Sequence, residues 1–451
     1  MSSAVVLGGG LAGMTAALRL TQSGHQVTLV ERRPYLGGRA YSFTDRDTGE
    51  QVDNGQHVFL GCCSAYADLL RDVGTIGFTA RQPRLRVEVR SPNGKRGVLS
   101  AAPLPVPLHL LPSFIRYPHL SLRDKLRAVP ALLRIRRERH RDRPELRRQS
   151  FHAWLKSNGQ TDRAIANFWD LIVVPSLNDW SRDVSASMGF MVFQVALLWD
   201  RNGGNVGFAK AGLSDIMGGP VRERLEASGA TVLTGKTVRR VVTGPDGAVT
   251  RIELVGGGTL EADWYVSALT PDALLDVLSE SDRVRPELAP AATHTYAPIV
   301  NLHVWYDRPI GDFDFVAFVE SPVQWVFNRT RIAELPGPGQ YLTVSLSGAW
   351  EFWPSTKAAL RKQFLPELAR LFPEAREAKV ERFIVVKEQR ATFRSLPDGP
   401  PNRLPTHTPL TNLVLAGDWT DTGWPSTMEG AVRSGNAAAA AISSGTVESS
   451  P

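Results

Sequence analysis

The first residues that are arranged to do chemistry are Gly8, Gly10 and Gly13, which have the spacing of a G-x-G-x-x-G turn. Glycine permits a tight turn at Gly8, close approach of a pyrophosphate at Gly10, and close packing of helix on strand at Gly13. The N-terminus of the following helix then faces the phosphate charge. Glu31 ends the next apolar run and offers a carboxylate to a ribose diol. This pattern predicts a dinucleotide site.

The elements needed to position these residues are predicted on both sides of the turn. Residues 4–7 form an apolar run typical of a buried strand, and a helical pattern from Leu11 stops at Gly24. Residues 27–30 form a second β-rich run before Glu31. A strand–turn–helix connector without a ligand is the alternative, but the position of the acid favours the dinucleotide site.

A second glycine motif, Gly37-Gly38-Arg39, follows soon after Arg32. This motif is not part of an NAD site. It resembles the extended FAD fingerprint of the amine oxidase and carotenoid desaturase superfamily, in which the arginine lies against the cofactor. The resemblance favours FAD as the dinucleotide and implies that Arg32, Gly38 and Arg39 bind it.

The C-terminal region contains a further motif of this kind. Residues 415–420 and 425–431 resemble the terminal FAD motif of carotenoid desaturases, and residues 387–393 resemble the strand that precedes it. The resemblance implies that Gly417 and Asp418 meet the ribityl-pyrophosphate part of FAD. It also implies that the helix beginning at Met428 points its N-terminus at the flavin ring, where it stabilises negative charge. In that family the position of Val238 lies beside the adenine.

The segment Asp53-Asn54-Gly55-Gln56-His57 separates the branches of this superfamily. It is closer to the squalene-associated branch, the hydroxysqualene dehydroxylases of squalene and hopanoid synthesis, and residues 423–430 also resemble that branch. The resemblance covers essentially the whole chain. It implies loss of the allylic hydroxyl of hydroxysqualene and delivery of hydride from reduced FAD, giving squalene.

Such a reaction needs a general acid near the flavin. His57 is the candidate donor, with Asp53 orienting it. The alternative is that Asp53 and Asn54 cap the turn while Gln56 and His57 hydrogen-bond the flavin or the backbone. A carotenoid desaturase with the opposite electron flow is the rival activity, and a non-enzymatic flavin-binding membrane scaffold is a third hypothesis. An amine oxidase is less favoured, because Pro425 and Ser426 intervene where an aromatic pair would flank the flavin.

The expected fold class is α/β, with a Rossmann-like FAD-binding domain of the amine oxidase and glutathione reductase type and a discontinuous α+β substrate domain. Residues 81–100 predict a hairpin, and residues 290–390 predict an antiparallel sheet with one helix. The FAD-binding domain is predicted at residues 1–75, 208–275 and 405–451, and the substrate domain at 76–207 and 276–404.

Positive charge is concentrated in residues 116–148, which contain twelve Lys or Arg and four acids, whereas the whole chain carries +7. Apolar residues spaced by three and four predict an amphipathic helix there, beside a Leu- and Pro-rich run from Pro103. A basic, membrane-facing part near residues 103–148 fits docking on an anionic membrane surface. The alternative is a helix of a cap domain with its apolar side packed inward. Nucleic acid is not an expected partner, because the leucines do not fit it.

The remaining composition is that of a folded globular protein, with 43% hydrophobic and 22% charged residues. No uncharged run approaches the roughly 18–20 residues of a membrane span, and a signal peptide is not expected. Cys62 and Cys63 are predicted to be small buried packing residues, and the absence of a disulfide framework fits a reducing cytoplasm. We therefore expect a cytoplasmic enzyme on the inner face of the cell membrane. We also expect a thirty-carbon isoprenoid as the substrate, an electron donor for FAD, and no metal. Residues 103–114 and 190–199 are expected to line an apolar tunnel for the substrate.

Overall fold

A five-stranded parallel sheet brings the N-terminal and C-terminal motifs side by side. The computed structural model describes residues 2–397 and 403–444. The strands, in order across the sheet, are Thr231–Thr234, Gln26–Glu31, Ser3–Leu7, Trp264–Ser267 and Leu413–Leu415. Both faces of this sheet are covered, which explains why residues 4–7 form an unbroken apolar run.

The first helix (Leu11–Gln22) and the last helix (Met428–Ser443) pack against each other beside this sheet. Their approach is so close that a Cβ on Gly435 would lie 2.3 Å from the Ala12 carbonyl oxygen. Helices Ser64–Asp72 and Gly219–Ala227 complete the layer, and the predicted stop at Gly24 has a positive φ. The predicted Rossmann-like unit is confirmed.

A seven-stranded sheet forms the second layer and is antiparallel except between Arg86–Arg90 and Phe315–Phe318. Helix Lys357–Leu371 packs its buried side chains on one face. The predicted hairpin and the predicted antiparallel sheet are therefore confirmed, and they belong to one sheet. Its strands in order are Val380–Phe393, Tyr296–Tyr306, Gln340–Ser347, Trp325–Asn328, Phe315–Phe318, Arg86–Arg90 and Arg96–Ser100.

Helices between residues 108 and 198 enclose the end of the molecule beyond the second sheet. These helices are rich in aromatic residues. Several of their side chains, such as Phe151, Trp169 and Phe193, pack on one another in a buried core and do not line the central cavity. The α-helices here are Leu111–Arg116, Leu122–Arg137, Pro144–Arg148, Phe151–Ser157, Asp162–Ala164, Asp170–Leu177 and Ala186–Phe193.

Three small sheets complete the fold. Strand Val206–Ala209 pairs with Val58–Leu60 and Thr79–Arg81, and therefore spans the predicted domain boundary at residue 207. The others are Ser42–Thr44 with Gln51–Asp53, and Val238–Thr243 with Val249–Leu254 and Thr259–Leu260. The domain boundaries stay predictions, and the last predicted segment, 405–451, extends beyond the described residues. The other short helices are Pro271–Val277, Glu280–Arg283 and Arg329–Ile332.

Candidate active site

The three glycines of the first turn have different surroundings. Gly8 has a φ of 104°, and a Cβ there would lie 2.8 Å from the Ala268 carbonyl oxygen. A Cβ on Gly13 would lie 1.9 Å from the carbonyl oxygen of Gly8. Gly10 instead lines the central cavity, and a Cβ there would meet no protein atom closer than Gly38 Cα at 3.8 Å. The fold requires Gly8 and Gly13, whereas Gly10 leaves space for a ligand.

Glu31 is buried beside this turn, where its carboxylate accepts two backbone hydrogen bonds. The Gly9 N–H donates to Oε2 at 2.7 Å and the Arg33 N–H donates to Oε1 at 2.8 Å. A carboxylate has about four lone-pair sites, so each oxygen retains capacity for a ribose hydroxyl. Arg32 and Val238 line the same part of the cavity.

Arg39 and Asp418 join the opening motif to the closing motif. Their side chains form an ion pair, and the Ser426 hydroxyl donates to the Asp418 carboxylate. Arg39 also donates to the Ala391 carbonyl oxygen at 3.1 Å, and its guanidinium carbon lies 4.8 Å from the ring centre of Phe393. These contacts hold three distant segments together at the middle of the cavity.

The last helix begins at the cavity wall, where Met428 and Thr427 line it. The Thr427 hydroxyl caps the first turn by accepting a backbone N–H. Glu429 lies in the same turn, but its carboxylate accepts the Tyr66 N–H at 2.8 Å and pairs with Arg433 at 2.7 Å. The negative charge of Glu429 is therefore neutralised by Arg433, and the positive end of this helix is directed toward the cavity.

His57 is held by a neighbour in its own turn. Its Nε2 lies 3.2 Å from Asn54 Oδ1, while Asn54 Nδ2 donates to the Arg39 carbonyl oxygen at 2.9 Å. This assigns the imidazole proton to Nε2, because the Asn54 oxygen faces it. Burial lowers the pKa of His57, and the nearby charge of Asp53 opposes this only in part. The imidazole is therefore neutral at pH 7, and its Nε2–H donates a hydrogen bond to Asn54 Oδ1.

Asp53 does not line the cavity with the rest of this turn. Its Oδ1 accepts from Ser42 Oγ at 2.7 Å, and its Oδ2 lies 3.7 Å from the buried guanidinium of Arg329. Within the described ranges no hydrogen bond joins Asp53 to His57. The predicted orientation of His57 by Asp53 is wrong, because Asp53 is committed to the surrounding fold and Asn54 takes that position.

Two further polar side chains at this turn were missed from the sequence. Arg329, buried under the turn, donates to Gln56 Oε1 at 3.4 Å. Glu388, on the long strand Val380–Phe393, lies 3.4 Å through Oε1 from both Tyr41 Oη and Asn54 Nδ2. No sequence signal indicated Arg329, but Glu388 lies in the recognised segment 387–393.

One cavity of about 1260 Å³ joins the glycine turn to an apolar chamber. Ligand pockets measure roughly 300–1,000 Å³, so this volume admits a cofactor together with a second molecule. The apolar end is lined by residues of segments 107–114, 129–136, 168–176 and 191–198. The predicted lining is therefore confirmed for the second part of 103–114 and for residues 191–198 of the segment 190–199. Of the predicted cofactor residues, Gly13 is outside and the cavity wall contains Gly8, Gly10, Glu31, Arg32, Gly38, Arg39, Gln56, His57, Val238, Gly417, Asp418 and Met428.

The two adjacent cysteines also lie on this wall. Cys62 and Cys63 each pack against a hydrophobic core, as predicted, but they are half-buried rather than fully buried. The hydrogen bond with Cys62 and burial raise the pKa of the Cys63 thiol. Cys63 therefore remains a neutral thiol at pH 7.

The apolar end of the cavity reaches the surface at the basic helix (Leu122–Arg137), where Leu108, Leu111, Val129 and Leu133 both line it and are exposed. Ser121 and Asp124 start this helix with a capping box. Its inner face is made of Ala128, Ala131 and Ile135. The alternative of an apolar side packed inward is therefore wrong for Leu122, Leu126 and Leu133, which are exposed, whereas Leu132 does pack against the core. The exposed apolar patch comprises Leu104, Leu108, Leu111, Ile115, Leu122, Leu126, Val129 and Leu133.

Within residues 2–397 and 403–444, no helix combines the length and the hydrophobicity required to cross a bilayer. Over the same residues, no cluster of His, Cys, Asp or Glu is arranged to hold a metal ion.

The polar end of the cavity fits FAD. It offers an open glycine at Gly10, the N-termini of two helices, and buried Glu31 with lone pairs remaining. These groups match a pyrophosphate and a ribose, and the volume beyond them accommodates a flavin ring.

Comparison with known proteins agrees with this geometry. The family model described as flavin containing amine oxidoreductase matches residues 11–443. The chain is 29% identical to hydroxysqualene dehydroxylase of Rhodopseudomonas palustris, over 96% of each protein. It is 26% identical to 15-cis-phytoene desaturase of Narcissus pseudonarcissus, over 97% of this chain and 79% of that protein.

The fold is also that of solved oxidoreductases. An oxidoreductase from Methanosarcina mazei superposes with a TM-score of 0.74 at 19% identity, over 96% of this chain and 99% of the other. The predicted fold class, FAD as cofactor and membership of the superfamily are confirmed. The chain belongs to the flavin-containing amine oxidoreductase family and is an FAD-dependent oxidoreductase.

Proposed function

We propose that this oxidoreductase is a hydroxysqualene dehydroxylase, which replaces the allylic hydroxyl of hydroxysqualene by hydride to give squalene. The observation that carries the proposal is the single cavity that runs from the FAD end to a long apolar chamber. An apolar chamber of this kind suits a thirty-carbon isoprenoid, because burial of hydrocarbon supplies most of the binding energy. Full-length similarity to a hydroxysqualene dehydroxylase supports the same substrate.

We assign the cofactor residues as follows. The Gly8–Gly13 turn and the first helix hold the pyrophosphate, and Glu31 binds the ribose diol, with Arg32 and Val238 beside the adenosine. The remaining assignments are that Gly38, Arg39, Gly417 and Asp418 hold the middle of FAD, and that Gln56, His57 and Met428 lie at the flavin. On this assignment the predicted FAD-binding segments, 1–75, 208–275 and 405–451, surround the polar end of the cavity.

The reaction makes three demands on the chain. Bound FAD, once reduced by an electron donor, supplies the hydride. The chain must hold the allylic carbon at the junction of the polar and apolar parts of the cavity, exclude water there, and protonate the hydroxyl. The apolar side chains of segments 107–114 and 191–198 exclude water. His57, as a neutral donor to Asn54, fixes the turn rather than supplying the proton.

A phytoene-type desaturase is the second candidate, because 26% identity to a 15-cis-phytoene desaturase spans nearly the whole chain. That activity uses the same apolar chamber for a longer polyene precursor and transfers hydride to the cofactor instead of from it. The two activities therefore differ in the redox state of FAD that starts the reaction.

We further propose that the enzyme docks on the inner face of the cell membrane through the exposed apolar patch. Charge supports this, because exposed Arg123, Arg134 and Arg137 lie on the same basic helix as the exposed Leu122 and Leu126. The cavity reaches the surface within the patch, so docking would let an isoprenoid pass from lipid into the chamber without crossing water.

The test of the activity is anaerobic incubation of the purified protein with reduced FAD and hydroxysqualene, followed by lipid analysis. We expect squalene to form in proportion to FAD oxidised. The matched reaction contains oxidised FAD and phytoene under otherwise identical conditions. Desaturated phytoene in that reaction, with no squalene in the first, would refute the proposed activity and establish the second candidate.

A further inference from the structure

The carboxylates on the cavity wall differ in the groups that neutralise their negative charge. Glu31 accepts two backbone amides, and Asp272, Asp418 and Glu429 each pair with an arginine. Asp276 is exposed to solvent. Glu388 has no cationic partner within 4 Å among the described side chains, although it lies at the turn that contains Asn54 and His57. It is therefore the carboxyl group that is neither neutralised nor placed in bulk water.

The contacts of Glu388 occupy one carboxyl oxygen and leave the other without a protein partner among the described residues. On strand Val380–Phe393 it lies opposite Ile299, which also lines the cavity. Its Oε1 accepts from Tyr41 Oη and Asn54 Nδ2, both at a long 3.4 Å and both from uncharged donors. Burial raises the pKa of Tyr41, so the phenol stays protonated. Oε2 has no protein partner in the described ranges.

The other groups at this junction that could donate a proton are already hydrogen-bonded to the protein or are weak acids. His57 is neutral, and its one proton is donated to Asn54. Lys387 Nζ donates to the carbonyl oxygens of Trp353, at 2.9 Å, and Ser355. The raised pKa of the Cys63 thiol makes it a weak acid. Glu388, by contrast, has an oxygen, Oε2, that none of the described residues occupies.

We propose that Glu388 protonates the departing hydroxyl of the substrate, an inference that rests on the proposed dehydroxylation. The Glu388 O–H bond breaks as its proton joins the hydroxyl oxygen, and the allylic carbon–oxygen bond breaks to release water. The allylic carbon gains the hydride that reduced FAD supplies, which leaves FAD oxidised. The Glu388 carboxylate then regains a proton from solvent, so atoms and electrons balance.

The charged and titratable groups around Glu388 come from three sides. Tyr41, with the Arg33 guanidinium 5.2 Å from its ring centre, lies on one side, and His57 lies beyond Asn54 on another. Lys387 and Arg390 are on the same strand, and Arg390 pairs with Asp272. None of these cations is within ion-pairing distance of Glu388 in the described structure.

The test is steady-state and pH-dependent kinetics of Glu388→Gln, with anaerobic squalene formation as the assay. We expect kcat to fall by roughly 100-fold or more, since a general acid contributes about 10²–10⁴ in rate. KM for hydroxysqualene and flavin bound per chain should stay near the wild-type values. The wild-type rate should decline at high pH, and the variant should lose this dependence. Glu381→Gln, at an exposed position of the same strand, is the matched control and should be fully active.

The outcomes separate this inference from the proposed activity. A wild-type protein that forms no squalene refutes the activity itself. Wild-type turnover together with a Glu388→Gln rate within about threefold, or with an unchanged pH profile, overturns only the role of Glu388. If Glu388→Gln loses flavin, Glu388→Asp decides the matter, because it retains an acid. It should keep the pH dependence at a reduced rate, and a pH-independent rate would overturn the inference.

Discussion

Arg39 and Asp418 are 379 positions apart in the chain, and their side chains form an ion pair at the middle of the cavity. The Asp418 side chain is 8% exposed and that of Arg39 is 34% exposed. Removal of the arginine would leave a nearly buried carboxylate whose remaining side-chain partner, among the residues that the structure describes, is the Ser426 hydroxyl. An uncompensated buried charge destabilises a fold more than the loss of a surface pair.

Arg39→Ala is therefore expected to lower the free energy of unfolding of the flavin-free protein by about 2 kcal/mol. Urea denaturation measures this. The matched control is Arg71→Ala, which breaks an exposed pair with Asp68 and should change stability by less than about 0.5 kcal/mol. Equal effects of the two substitutions would show that the Arg39–Asp418 pair does not hold the motifs together.

Gly10 and Gly13 are expected to respond differently to the same added methyl group. Gly10 has a φ of −76°, which alanine adopts freely, and its Cβ would project into open space. Gly10→Ala should therefore fold with normal stability but bind at least tenfold less FAD. Gly13→Ala should give little folded protein, because its Cβ would overlap the Gly8 carbonyl oxygen. Flavin absorbance per chain and thermal unfolding separate the two effects. A Gly10→Ala protein with full flavin content would remove Gly10 from the cofactor site.

The features that could be predicted from sequence depend on local backbone demands. A positive φ at Gly8 and a crowded Gly13 admit glycine alone, so the spacing of these residues is enough to indicate the turn. Alternation and turn residues likewise predicted the strands Arg86–Arg90 and Arg96–Ser100. Neither kind of signal shows that this hairpin extends a sheet whose other strands all lie between residues 296 and 393.

The features that could not be predicted depend on side chains brought together by the fold. Asp53 was paired with His57 because they are close in sequence, yet its partners are Ser42 and the distant Arg329. The same limit applies to the basic helix. Its periodicity shows a leucine face and a second face of small residues, and only packing decides that the face of Ala128 and Ala131 is buried.

The exposed apolar patch is expected to bind lipid. Leu122 and Leu126 are 73% and 66% exposed, so the double change Leu122→Ser and Leu126→Ser removes apolar area without opening the core. We expect at least tenfold weaker sedimentation with vesicles that contain anionic lipid, with unfolding temperature and flavin content unchanged. The matched control is Val255→Ser, at an exposed apolar position in the turn that follows strand Val249–Leu254, which should bind normally. Unchanged binding of the double variant would exclude docking through this patch.

The exposed arginines of the basic helix are expected to make vesicle binding depend on salt. Arg134 and Arg137 are exposed, whereas Arg136 donates to the Leu198 carbonyl oxygen and belongs to the fold. Arg134→Gln with Arg137→Gln should weaken vesicle binding at low salt and flatten its salt dependence, because screened charges act within about 10 Å at 0.1 M salt. Wild-type binding that does not respond to salt would contradict an electrostatic contact.

His303 makes the stability of the fold sensitive to acid. It is buried on strand Tyr296–Tyr306, with Nδ1 2.7 Å from Tyr341 Oη. Burial lowers its pKa from 6.5 to about 3, and the charges of Arg329 and Arg382 act in the same direction. Between these two pH values the unfolded chain binds a proton that the folded chain excludes, so this histidine favours unfolding increasingly as pH falls.

Acidification from pH 6.5 toward 4 is therefore expected to lower the free energy of unfolding through His303 by up to about 1.4 kcal/mol per pH unit. His303→Gln removes the titrating group, so its stability should fall less steeply over this range, although it is expected to be less stable than wild type at pH 8. Urea denaturation at four pH values measures both slopes. His407→Gln, at an exposed position, should keep the wild-type slope. Parallel curves for His303→Gln and wild type would show that His303 does not exclude a proton in the folded state.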